Sequence, residues 1–74
     1  MLQAPGERVE CRAEVAYPGR PLAFHFEGLR WEVAEVLNSW HSPQGVGFRV
    51  SIQDGRVFEL LYNQALDEWV VREF

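Results

Sequence analysis

Leu22-Ala23-Phe24-His25-Phe26-Glu27-Gly28-Leu29-Arg30-Trp31-Glu32-Val33 decides the fold class. Large apolar side chains at 22, 24 and 26 alternate with Ala23, His25 and Glu27, the period of a strand with one buried face. Xaa-Gly between two such runs is the strongest short-range hairpin signal. A two- or four-residue loop around Glu27-Gly28 sets Phe24 against Trp31 and Leu22 against Val33. The apolar side chains then share one face, and His25, Arg30 and Glu32 share the other. A register that leaves one face dry and one wet is self-consistent.

The same test applied further along gives a second hairpin. A two-residue turn at Asp54-Gly55 would put Val50 opposite Glu59 and Ser51 opposite Phe58, mixing the faces. A three-residue loop, Gln53-Asp54-Gly55, with Gly55 in the left-handed region as a bulge, pairs Val50 with Phe58 and Phe48 with Leu60. That loop also requires Ile52 to face Arg56. Upstream, Val9, Cys11, Ala13, Val15 and Tyr17 alternate with Glu10, Arg12 and Glu14 as a half-buried strand. Tyr17-Pro18-Gly19-Arg20 fits a type II turn. Such a turn splays the strands it joins, so this connection reads as an open corner.

Val33, Val36, Leu37 and Trp40 carry helical spacing. They also fit a strand that bulges near Ala34-Glu35, resumes at Val36 and ends near Trp40. The stretch lacks an N-cap and directly follows a hairpin, which favours the strand. Residues 41–45 read as a loop, and Trp69–Phe74 as the last strand, reached through a short connection over 63–68. The expectation is an all-β domain: a single antiparallel meander of five to six strands, strongly bent, approaching a small SH3-like barrel. Residues 1–7 are expected to be flexible, because Pro5-Gly6 offers little to a sheet, and residues 8–74 to form one domain.

Composition narrows the function classes. With 74 residues there is room for one domain, and such a chain buries only about 60% of its unfolded surface. The single Cys11 leaves no internal disulfide and no cysteine-rich zinc site. Three Trp, five Phe and two Tyr must supply the cohesion. Eleven acids against seven Arg give a net charge of −4, adverse to binding that relies on neutralising many phosphates. Lysine is absent, and with it Schiff-base chemistry. Residues 1–6 lack the basic start and apolar run of a secretory signal, and no stretch approaches the ~20 apolar residues of a membrane span. The expected setting is the cytoplasm, with a reduced Cys11.

Several residues and motifs from Gly19 onward resemble an uncharacterised family of small bacterial all-β domains. They are Gly19-Arg20-Pro21, Phe24-x-Phe26-x-Gly28, Trp31-x-Val33-x-Glu35-Val36-Leu37 with Trp40, Phe48-Arg49-Val50, Asp54-Gly55-x-Val57-Phe58-Glu59-Leu60, and Trp69. The C-terminal half is similar to the module that closes the polymerase-like subunit of bacterial mutasomes. There, an aromatic-Arg-Val strand, a turn and a Phe-x-Leu strand precede a Trp. The resemblance implies a standalone β module associated with DNA-repair proteins. It rests on core aromatics and turn glycines, which specify fold more than function.

No chemical signature assembles. His25 and His41 are not at metal-binding spacing, and His25 should face Arg30, whose charge opposes a cation. Cys11 shares the inward phase of Val9 and Val15 and reads as a small buried hydrophobe. No serine elbow and no glycine-rich phosphate loop is present. The chain is therefore expected to be noncatalytic and to need no cofactor or metal.

Trp31, Phe24, Phe26, Phe48, Phe58 and Trp69 share the inward phase and read as core. On the opposite face of the last two strands fall Val57, Leu61, Val70 and Phe74, with only Glu59 and Arg72 between them. A solvated sheet face is normally more polar. Either residues 8–17 close a barrel over it or another chain covers it. Burying four such side chains would contribute on the order of 6–10 kcal/mol before association costs. The expected role is thus a protein-interaction module, self-associating or docking on a larger component, through Val57, Leu61, Val70 and Phe74 with Trp40 at the rim. The alternative is a small nucleic-acid-binding barrel that stacks bases on Trp40 beside Arg30, Arg49 and Arg56.

Overall fold

The computed structural model describes residues 3–5, 8–11 and 20–74. Its strands are β1 (Gln3–Pro5), β2 (Val9–Cys11), β3 (Pro21–Phe26), β4 (Leu29–Glu32), β5 (Glu35–Ser42), β6 (Gly45–Ser51), β7 (Val57–Asn63) and β8 (Glu68–Glu73). The domain is all-β and antiparallel, as expected, but the described residues form eight strands rather than five or six. They form two open sheets, ordered β1-β8-β7-β6-β5 and β2-β3-β4, and the ladders of the described residues close no barrel. The break is the corner at Val33-Ala34, where the chain leaves the small sheet for the large one. Val33 N–H still donates to the Leu22 carbonyl (3.0 Å), whereas Ala34 N–H donates to Ser51 (2.8 Å).

Both hairpin registers hold. Phe24 opposes Trp31 and Phe26 opposes Leu29 across a two-residue loop. Glu27 and Gly28 both have positive φ (54° and 80°), the signature of a type I′ turn whose twist matches its strands. At the second hairpin Val50 opposes Phe58 and Phe48 opposes Leu60. Gly55 has φ 93°, and Ile52 N–H donates to the Arg56 carbonyl at 3.1 Å. The Asp54 carboxylate accepts from Arg56 N–H (2.9 Å) and fixes the bulge.

The stretch with two readings is a strand, and its bulge lies at Leu37, between Val36 and Asn38. Moving an extra residue there releases Leu37 from the ladder phase and turns Trp40 onto the face opposite Val36. The loop expected over 41–45 shrinks to Pro43-Gln44, because Ser42 and Gly45 already pair. Residues 3–5, expected to be flexible, instead pair with β8 (Gln3 to Arg72, Pro5 to Val70); proline is admissible on such an edge. Of the strand expected from Val9 to Tyr17, the described part is β2. The remainder, with the expected type II turn, falls outside the described residues.

The core lies between the sheets. Phe24 and Phe26 from β3 meet Val46, Phe48, Val50, Phe58, Leu60 and Val71 from the large sheet, with Ile52 at one end. Phe58 is the centre, with ring centroids 4.8 Å from Phe24 and 5.3 Å from Phe26. Trp31 and Trp69 pack partly buried against the cluster. One inward assignment fails: Leu22 is 51% exposed. Its neighbours Pro21 and Ala23 are fully buried instead, so at this end of β3 the buried phase falls on the residues either side of Leu22.

Candidate functional site: the outer face of the large sheet

Pairing across β5, β6, β7 and β8 writes the outer face of the large sheet as rows perpendicular to the strands. One row is Trp40, Gly47, Leu61 and Val70; the next is Asn38, Arg49, Glu59 and Arg72; a third begins with Ser51 and Val57. Phe74 N–H donates to the Val57 carbonyl (2.8 Å), which brings Phe74 alongside that third row. The alternation of β7, Val57-Glu59-Leu61 outward and Phe58-Leu60 inward, dictates this arrangement. All five residues expected at an interface therefore share one face.

They form two apolar patches rather than one. Trp40, Leu61 and Val70 line a groove of about 320 Å³. Val46 and Tyr62 also line it. The Trp40 indole lies directly on Gly47, and a Cβ at that position would collide with Cε2, Cζ2 and Nε1 of the indole. Ser42, Gln44 and Asn63 form the polar end of the groove. Val57 and Phe74 lie on the far side of the charged row, and Phe74 is 62% exposed.

The row between the patches is an ion triad. The Glu59 carboxylate accepts from Arg49 Nη2 through Oε2 (2.8 Å) and from Arg72 through Oε1, with Nε at 2.8 Å and Nη2 at 2.6 Å. Glu59 is only 4% exposed and is the one buried charged side chain among the described residues. The hydrogen bond from Arg49, reinforced by Arg72, outweighs burial and holds the Glu59 carboxyl below its ordinary value. Each arginine side chain remains about a third exposed (35%). The Arg49 guanidinium lies 4.1 Å from the Phe74 ring centre, a cation–π contact. Its Nε is buried and has no hydrogen-bond partner among the described residues. With two cations on one carboxylate, the triad itself carries a net charge of +1.

The triad was not recognised in the sequence, although half of it was available there. A register that sets Val50 against Phe58 necessarily sets Arg49 against Glu59. The contribution of Arg72 depends on the β7–β8 register, for which no turn signature stands in the sequence. The seat of Trp40 on Gly47 depends on the bulge at Leu37 and is equally hidden.

The four residues of the nucleic-acid alternative do not converge. Arg49 and Trp40 lie on the outer face described above. Arg30 is on the small sheet, where its Nε and Nη2 donate to the Glu10 carboxylate at 2.9 Å each. Arg56 donates to Asp54 (3.0 Å), approaches Glu73 (3.8 Å) and covers the Trp31 ring at 4.7 Å. Arg30 and Arg56 are matched to carboxylates that a phosphate would have to displace, whereas Arg49 shares Glu59 with Arg72.

His25 sits directly across from Arg30 on the same face of the small sheet, its Nε2 at 3.3 Å from Glu10. The Arg30 bonds, with His25 second, pull the Glu10 carboxyl down to about 2. Cys11 is half-buried, and desolvation pushes its thiol up to about 11, so it is a poor nucleophile near neutrality. Among the described residues no His, Cys, Asp and Glu side chains group so as to hold a metal ion. No described helix is long and apolar enough to cross a membrane.

What the fold and the face define is a small open two-sheet β module with an ion triad set between two apolar patches. Comparison with protein-family models, with curated proteins and with solved structures gives no match to this chain. The resemblance to the mutasome-associated module thus rests on the residues quoted above.

Proposed function

We propose that the chain is a noncatalytic protein-interaction module of the cytoplasm, and that it works through the outer face of its large sheet. One observation carries the reading: Trp40, Leu61 and Val70 on one side of the triad, and Val57 and Phe74 on the other, all lie on one face. The described residues put no second layer over that face. The part of the N-terminal segment expected to close a barrel there, β2, pairs with β3 in the other sheet. Apolar faces of this kind mark interaction surfaces. The DNA-repair setting implied by the resemblance is part of the proposal and supplies a candidate class of larger component.

The test compares wild type with Leu61→Glu, first by light scattering and then by capture of bound protein from nuclease-treated lysate. Leu61 is half-buried on a face that needs no internal partner, so the variant should keep the far-UV spectrum and cooperative unfolding of the wild type. It should lose whatever the wild type binds, another copy or a different protein. Binding that is unchanged by Leu61→Glu would sink the proposal. Binding that survives only without nuclease and falls steeply with salt would transfer the role to nucleic acid.

A further inference from the structure

The two features of the outer face that differ chemically, the apolar groove and the cationic triad, are adjacent and can be engaged by one short segment. Leu61 and Glu59 are two residues apart on β7, so groove and triad are separated by roughly 7 Å along the strand direction. That is also the spacing of residues i and i+2 in an extended peptide. The groove, at about 320 Å³, lies at the small end of the ~300–1,000 Å³ range of ligand sites. It suits a single large side chain against the Trp40 indole better than a multi-ring ligand. The triad offers the exposed edges of Arg49 and Arg72, already oriented by Glu59 and, among the described residues, carrying one positive charge in excess of their shared carboxylate. Charge-assisted bonds from a pre-set guanidinium to a carboxylate are short and directional.

We propose that the partner is a protein segment in extended conformation with an acidic residue two positions from an aromatic or large aliphatic one, the acid on the Arg49–Arg72 edge and the apolar side chain in the Trp40–Leu61–Val70 groove. Charge complementarity decides against a second copy laid face to face, because that would set two net-positive triads against each other. The Phe74 ring, stacked on Arg49 and largely exposed, extends the apolar contact beyond the charge. This inference rests on the interaction-surface reading above and names its partner.

The test is selection of a random eight-residue peptide library displayed on phage against the full chain, followed by affinity measurements on the selected peptide. The expected consensus has Asp or Glu two positions from Trp, Phe, Leu or Met. Replacing the acid of that peptide by Ser should weaken binding by roughly 10–100-fold at 50 mM NaCl, the loss expected for a charge-assisted bond. The loss should be smaller at 500 mM NaCl. The change is made on the peptide, so the protein's fold is untouched. Arg72→Gln on the protein should give a loss of the same order, and Gly47→Ala should weaken the peptide that retains its acid.

No enriched peptide, a consensus without an acid, or indifference to the Ser replacement would each overturn the inference. If wild type forms a dimer that Leu61→Glu abolishes while no peptide is enriched, the surface reading stands and the occupant is a second copy. If a single-stranded oligonucleotide binds with the same dependence on Arg72, both readings fall.

Discussion

Glu59→Gln tests the electrostatics of the face most directly, since it keeps the shape of the side chain and removes its charge. Glu59 accepts from two guanidinium groups at 2.6–2.8 Å, and each charge-assisted bond contributes about 1.5–3 kcal/mol. Glutamine keeps one acceptor oxygen for one arginine and turns an NH₂ donor toward the other. The variant thus loses one such interaction outright and leaves two cations without their shared anion. Breaking a deeply buried ion pair costs about 3–5 kcal/mol, but here both arginines are about a third exposed and can turn to water. The expected cost is therefore about 2–3 kcal/mol. The whole domain should hold about 4–11 kcal/mol at ~0.05–0.15 per residue, so the variant remains folded, with a Tm about 10–20 °C lower.

The sign of the pH dependence follows from the lowered carboxyl of Glu59. Between its unfolded value of 4.5 and the lower native one, the unfolded chain binds more protons than the native chain. The stabilisation is present above 4.5 and is lost as pH falls through the native value. The difference between wild type and Glu59→Gln, measured by urea unfolding, should be constant from pH 7 to 5.5 and shrink as the pH is taken down toward 3. Glu10 acts in both proteins and cancels. A difference under about 0.5 kcal/mol at pH 7 is the size of an ordinary surface substitution and would refute the reasoning. So would a difference that does not shrink in acid.

Other consequences are accessible to simple measurements. Gly47→Ala should drive the Trp40 indole off β6 and shift its fluorescence toward the red with little change in circular dichroism; unchanged emission would show that the indole does not depend on Gly47. Gly55→Ala should cost about 1–2 kcal/mol in denaturant unfolding, since φ 93° lies in the left-handed region, and a neutral result would contradict the bulged three-residue loop. Phe58→Ala, at the fully buried centre of the core, should cost about 3–5 kcal/mol, a large part of the total stability, and appear as a collapsed or unfolded chain in the same assay. Glu10→Gln should loosen β2 from β3, read as faster amide exchange at Val9 to Cys11 with the large sheet unaffected.

What was legible in the sequence was whatever local chemistry fixes. Glu27-Gly28 and Asp54-Gly55 set two registers because turn geometry and face segregation agree within a dozen residues. The Val50–Phe58 pair follows from the three-residue loop that face segregation selects. The apolar outer face was legible for the same reason, since period-two alternation in β7 and β8 assigns Val57, Leu61, Val70 and Phe74 without knowledge of the rest. The pairing of β1 with β8 was not legible, because its partners are separated by almost the whole chain and Pro5-Gly6 reads as a breaker. Nor was the position of the bulge. Ala34-Glu35 and Leu37 are equally acceptable locally, and the tertiary gain of seating Trp40 on Gly47 is consistent only with Leu37. That one-residue shift turns Trp40 onto the face opposite Val36, where it forms the wall of the groove.

The triad also bears on why this face would be specific. An all-apolar row in place of Arg49, Glu59 and Arg72 would do as well for stability, since buried ion triads are commonly matched or exceeded by packed hydrophobic residues. Such a row would also join the two apolar patches into one continuous strip, open to any apolar surface, including the edges of unfolding chains. Glu59 with its two arginines interrupts that strip with a charge that is costly to cover. A partner lacking an anion must desolvate two guanidinium edges with nothing in return, whereas an acidic segment replaces their water with a carboxylate. On a domain this small, whose core alone leaves a thin margin, the same three side chains thus cross-link β6, β7 and β8 and discriminate against wrong partners. Replacing the whole row, Arg49→Met and Arg72→Met together with Glu59→Leu, separates the two roles: that variant should bind hydrophobic dyes and unrelated apolar peptides more strongly than wild type while its unfolding midpoint is little changed.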